Sequence, residues 1–112
     1  MHMSESLTPT EGARFLLERD REEEGGSRAI YRTAIYTPSV TYVGTATLAD
    51  DGVATLSDQL VAGASTKASE DLVETLQMLA KLTARSATKK REGGLPPWPA
   101  RILRWRGPGR GT

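Results

Sequence analysis

The chain has 112 residues, no cysteine, and 15 basic against 14 acidic side chains, for a formal charge of +1. That length suits one domain with its own buried core, and the missing thiols exclude a disulfide-stapled scaffold and any thiolate chemistry. A cytoplasmic setting fits this composition, and apolar runs such as Phe15-Leu16-Leu17 fall far short of the roughly 20 residues needed for a transmembrane segment.

The charge is unevenly distributed. Residues 89–112 hold Lys89, Lys90, Arg91, Arg101, Arg104, Arg106 and Arg110 against one acid, Glu92, a net +6, so residues 1–88 sum to −5. Such asymmetry points to an anionic partner, nucleic acid or an acidic protein. At the other end, Met1-His2-Met3 reads as a cloning remnant followed by the natural start, which sets aside His2, the only histidine. The first residues lack the basic and apolar regions of a signal peptide, and 1–8 are expected to be disordered.

Thr8-Pro9-Thr10-Glu11 has the form of a helix start, with Thr8 as cap, Glu11 reaching back and Pro9 in the first turn. Ala13, Leu16 and Leu17 follow at helical spacing and Gly25-Gly26 supply a stop, so a first helix is expected over Pro9 to Glu24. Glu22, Glu23 and Glu24 oppose the dipole at its end, which is expected to fray.

From Arg28 the chain becomes rich in β-branched residues and tyrosine, predicting strands over Arg28–Thr37 and Val40–Ala49 joined tightly at Pro38-Ser39. That register puts Ile35 opposite Tyr42, Thr33 opposite Gly44, Tyr31 opposite Ala46 and Ala29 opposite Leu48 on one apolar face. The other face carries Tyr36, Arg32, Ala34 and Val43 and is free to meet water. Parity selects a three-residue loop Asp50-Asp51-Gly52, which keeps Leu48 opposite Ala54 and Ala46 opposite Leu56, and opens a third strand over Val53–Asp58. Residues 59–66 read as a connection.

A second helix is expected from Ala68 to Lys90, capped by Ser69 or Thr66, with Glu70 and Asp71 in its first turn. Leu72, Val73, Leu76, Leu79, Ala80 and Thr83 form its inward stripe, which Met78 and Leu82 widen. Gly93-Gly94 ends it and Pro96-Pro97 prevents its resumption. An edge strand follows over Ala100–Arg106, with Leu103 and Trp105 on one side and Ile102 on the other. Residues 107–112 read as a flexible tail.

The expected fold is therefore α+β: one domain over 9–106, a small antiparallel sheet of three or four strands with two helices packed on one face, in the order α-β-β-β-α-(β). In element order alone it resembles double-stranded RNA-binding domains. Their basic cluster at the start of the second helix is absent, because Lys67 is followed there by Glu70 and Asp71.

No catalytic constellation stands out. Asp50 and Asp51 suit a turn, consecutive glutamates at 22–24 would diverge on a helix, and Gly107-Pro108-Gly109-Arg110 lacks the strand and helix of a phosphate loop. No cofactor and no metal are expected. Two functions are compatible with these residues. One is a non-enzymatic binding or accessory protein that meets an anionic partner through Lys89, Lys90, Arg91, Arg101, Arg104, Trp105, Arg106 and Arg110, arginine and tryptophan together being suited to nucleic acid. The other is a protein–protein interaction module or homodimer with no nucleic-acid role.

Overall fold

The computed structural model describes residues 7–107, and within them the chain is mostly sheet. The strands are β1 (Ala13–Glu23), β2 (Arg28–Tyr36), β3 (Thr41–Ala49), β4 (Ala54–Leu56), β5 (Leu60–Val61) and β6 (Arg101–Arg106), with one helix, α1 (Glu70–Glu92). All pairings are antiparallel; the order across the sheet is β4-β3-β2-β1-β6, and β5 continues the β4 edge by pairing with β3.

This overturns the expected two helices on a three- or four-stranded sheet. Residues 13–23 form no helix; they are the long inner strand, paired with β2 on one side and with β6 on the other. The segment Phe-Leu-Leu-Glu-Arg-Asp-Arg-Glu-Glu is rich in good helix formers, yet β2 pairs along its length except at Asp20 and β6 pairs with it as far as Glu18, and this tertiary pairing wins over local propensity. Ala13, Phe15 and Leu17 point into the core, whereas Leu16 lies on the opposite face. The shared order with double-stranded RNA-binding domains disappears with that first helix. At the entry to β1, Gly12 has φ +71, and a Cβ there would lie 2.1 Å from the Arg106 carbonyl oxygen. Only glycine lets the two strand ends meet.

The β2–β3 register is the one the alternation dictates, with Ile35 opposite Tyr42 and Ala29 opposite Leu48. Pro38-Ser39 is closed by Thr37, whose N–H donates to the Val40 carbonyl at 2.9 Å and whose hydroxyl oxygen accepts from the Val40 N–H at 3.1 Å. Leu48 pairs with Ala54 and Ala46 with Leu56 across the Asp50-Asp51-Gly52 loop, and Gly52 has φ +94, as a left-handed third position requires. The third strand is shorter than expected, and part of the expected connection is β5. Between β4 and β5, Gln59 turns inward and is buried. The Thr33 hydroxyl donates to its Oε1 at 2.6 Å and its Nε2 donates to the Ser57 carbonyl at 3.0 Å. Gly44 makes the room, since a Cβ there would lie 2.5 Å from that amide nitrogen.

Helix α1 covers one face of the sheet. Ser69 caps it, its hydroxyl accepting from the Leu72 N–H at 3.4 Å, and Gly94 (φ +81) ends it, with Leu95 N–H donating to Lys90 O at 2.8 Å and Gly94 N–H to Arg91 O at 3.0 Å. Leu76 and Leu79 fill the space over the sheet, while Ala80, Ala84 and Ala87 let the helix axis approach it closely. Met78 and Leu82, expected to widen the buried stripe, are 42% and 53% exposed.

After the helix, Trp98 is the largest fully buried side chain. Its indole N–H donates to the Gly26 carbonyl at 2.7 Å, an oxygen that also accepts from Arg91 Nη2 at 2.7 Å. The backbone around it is held as well: Arg19 Nη1 donates to Trp98 O at 2.7 Å, and the Tyr31 hydroxyl to Pro99 O at 2.7 Å. Burial pushes the Tyr31 phenol up to about 12, with the Arg19 charge opposing and the Glu22 charge adding.

Two outcomes are expected. Trp98→Ala should cost about 3–5 kcal/mol, and Trp98→Phe less, the remainder being packing kept without the hydrogen bond; urea midpoints of the two variants measure this. Because Tyr31 keeps its proton more tightly folded than unfolded, its contribution is complete below pH ~10 and is lost as pH rises toward ~12, on the order of 2 kcal/mol. Tyr31→Phe should flatten the loss of stability across that window relative to the parent chain.

Candidate functional site

The cations expected to act together are distributed by strand alternation over three places. Arg91 is engaged structurally, its Nη1 lying 2.9 Å from Asp50 Oδ2. Lys89 and Lys90 occupy the last turn of α1, where positive charge also suits the helix dipole. On β6, Arg101, Leu103 and Trp105 face away from the helix, whereas Ile102, Arg104 and Arg106 face the helix side. Arg104 and Lys90 border one groove of about 210 Å³ between α1 and β6, floored by Leu79 and Ile102. Arg110 lies outside the described residues.

The β6 cations differ in one respect from those of the hairpin β1–β2. Arg19, Arg21, Arg28 and Arg32 each pair with a carboxylate within 4 Å, for example Arg32 with Asp20 at 3.1 Å and Arg28 with Glu24 at 2.7 Å. In the turn region, the hydrogen bonds that Arg21 donates to Glu23 and Asp20 hold its guanidinium above its ordinary value, and those donated by Arg21 and then Arg28 hold Glu23 below the usual carboxylate range, against some desolvation. Lys89, Lys90, Arg101, Arg104 and Arg106 have no carboxylate within that distance among the described residues.

The second feature is the sheet face that α1 leaves uncovered. Three ranks cross it at right angles to the strands. The first is Trp105, Arg14, Tyr36 and Thr41; the second is Leu103, Leu16, Ala34 and Val43; the third is Arg101, Glu18, Arg32 and Thr45. The middle rank is aliphatic from edge to edge. Leu16 and Ala34 are only 7% exposed because longer neighbours stand over them, forming the floor of a trough of about 230 Å³. A bulge at Asp20, between the Arg19–Tyr31 and Arg21–Ile30 pairs, lets its carboxylate reach Arg32 at the trough wall.

Arg32 and Tyr36 lie outward, as the alternation of β2 requires, and Tyr31 and Tyr42 pack inward. Arg14, Leu16 and Glu18 fall within the expected first helix; their part in this face follows only from the pairing of β1 on both sides. Trp105 is 51% exposed, its indole N–H donating to the Glu11 carbonyl at 3.1 Å and its ring lying over Gly107.

No group of three or more His, Cys, Asp or Glu able to hold a metal ion is present among the described residues. No helix among them is long and apolar enough to cross a membrane. Compared with protein-family models, curated proteins and solved structures, the chain finds no match.

The two tryptophans should separate in a quenching experiment. Acrylamide is expected to reach one emitter and spare the other, and Trp105→Phe should remove the accessible, red-shifted component while leaving the shielded emission of Trp98.

Proposed function

We propose that the protein is a small non-catalytic binding module that engages an anionic polymer, single-stranded nucleic acid, along the edge formed by β6 and the last turn of α1. The observation that carries this reading is the contrast in pairing: Arg19, Arg21, Arg28 and Arg32 are neutralised within the hairpin, while Lys89, Lys90, Arg101, Arg104 and Arg106, grouped along one edge, are left without a carboxylate among the described residues, as are Arg14, Lys81 and Arg85 elsewhere. Strand alternation divides these cations, so a backbone running along the helix side of β6 would meet Arg104 and Arg106, and one on the other side Arg101. Phosphates gain from cationic groups that need not first give up an internal carboxylate, and released counterions supply the driving force. Trp105, half-exposed at the end of β6, adds a flat ring on which a base can stack, worth roughly 1–3 kcal/mol per base.

A cytoplasmic setting belongs to the same reading, since a chain without cysteine has no use for an oxidising compartment. Arg91 contributes less than its position in the sequence implies, because its charge is committed to Asp50 and Gly26.

Titration of a fluorescein-labelled single-stranded oligonucleotide at several salt concentrations tests the proposal. If the five cations each meet a phosphate, affinity should fall with a log–log slope of about −3.5, and Lys90→Ala with Arg104→Ala and Arg106→Ala should lessen that slope by about 2. Absence of binding at low salt, or a slope that the triple variant leaves unchanged, overturns the reading.

A further inference from the structure

We infer that the uncovered sheet face is a homodimer interface, formed by a second copy of this chain related by a two-fold axis running along the aliphatic rank Leu103, Leu16, Ala34 and Val43. The inference does not rest on the nucleic-acid reading.

The charge pattern of the face selects both the occupant and the axis. A two-fold interface brings each surface against itself, so a self-complementary face must carry opposite groups at positions related by the axis. Rotation about the aliphatic rank lays the first rank of one copy over the third rank of the other. Arg14 then meets the partner's Glu18, Trp105 meets the partner's Arg101, and Tyr36 meets the partner's Arg32. The first is an ion pair and the other two are cations over aromatic faces. The two ends of the aliphatic rank, Leu103 and Val43, meet their own copies, covering Val43, which is 42% exposed in the single chain, while Leu16 and Ala34 lie below them on the trough floor. A two-fold axis along β1 would instead stack Arg14 on Arg14, Glu18 on Glu18 and Arg101 on Arg32, setting like charges together at each charged position. One between β1 and β2 would turn Glu18 toward Arg32 of the second copy, a guanidinium already held by its own Asp20 at 3.1 Å.

The size is adequate. Three strands of nine residues and the six of β6, at about 3.3 Å per residue and 4.8 Å apart, give a face of roughly 500 Å² per copy, on the order of 1,000 Å² for the pair, the least that a specific interface needs. Two sheets packed in this way lie about 10 Å apart with their strands some 30° off alignment, so the interlocking is closest along the axis. The axis also sets the two β6 edges on the same side of the dimer. Arg104 and Arg106, on the helix side of each sheet, stay outside the interface, whereas Arg101 and Trp105 lie inside it and are open to a polyanion only in the monomer.

Sedimentation equilibrium at about 100 µM provides the test. The full chain is expected at twice its 12.1 kDa mass, and Val43→Lys, at a solvent-facing position, should return it to a monomer with unchanged far-ultraviolet circular dichroism. Arg14→Glu should also yield a monomer, and adding Glu18→Arg to it should restore the dimer, since the axis pairs position 14 with position 18 of the partner. Leu82→Lys, on the helix, should leave the dimer intact. A monomeric parent chain, a dimer that survives Val43→Lys, a double variant that stays monomeric, or dissociation by Leu82→Lys overturns the inference. Oligonucleotide binding by Val43→Lys is read separately, so failure of one reading leaves the other standing.

Discussion

One carbonyl oxygen, that of Gly26, holds the assembly together. It lies in the turn between the first two strands, where Gly26 itself has φ +91, and it accepts both the Trp98 indole N–H and an Arg91 guanidinium N–H. Three segments far apart in sequence therefore share one acceptor: the β1–β2 turn, the end of the helix, and the strap that leads into β6. Because Trp98 is fully enclosed, its N–H must find a partner inside the protein, and that requirement fixes where the strap crosses the sheet. Arg19 and Tyr31 then grip the backbone on either side of Pro99. With the strap anchored at these points, β6 can only fall beside β1.

The placement of β6 governs everything the surface offers. An exposed edge strand invites pairing with another chain, and three arginines in six residues discourage it. The same side chains, alternately above and below the sheet, give the molecule a basic margin, while the charges of Arg19, Arg21, Arg28, Arg32, Lys67 and Arg91 are absorbed by Glu18, Asp20, Glu22, Glu23, Glu24, Asp50 and Asp58. A net charge of +1 thus conceals a separation between a neutralised hairpin and an unneutralised edge. Protection against unwanted β-pairing and attraction of a polyanion are two effects of one arrangement.

Where periodicity and parity both bear on the answer, the structure was legible in the residues. The β2–β3–β4 meander follows from alternation and from the parity of the Asp50-Asp51-Gly52 loop, down to individual partners, and α1 follows from Ser69, its leucine stripe and Gly94. The inner strand β1 was not legible. A strand with neighbours on both sides and apolar contacts on both faces shows no clean alternation, and Phe15-Leu16-Leu17 among glutamates and arginines reads as an amphipathic helix until β6 is known to lie beside it. The two-residue β5 is too short to leave a pattern. For the surface, the cation-rich segment was visible as charge, but its division between two faces, and the engagement of Arg91 with Asp50, required knowing which strand and which helix end carried each residue.

The adjacency of β1 to the last strand has a bearing on synthesis. Every other pairing in the sheet joins segments that follow one another closely, whereas β1 has its second neighbour at the far end of the described chain. During translation the hairpin, the third strand and the helix can all form while the outer ladder of β1, with its Phe15-Leu16-Leu17 run, stands bare for want of a partner not yet made. That closure step has the longest loop to pay for and is the slow one by topology. A nascent chain stalled before Arg101 would present an apolar, unprotected strand to its surroundings, which makes β6 the chain's own chaperoning element.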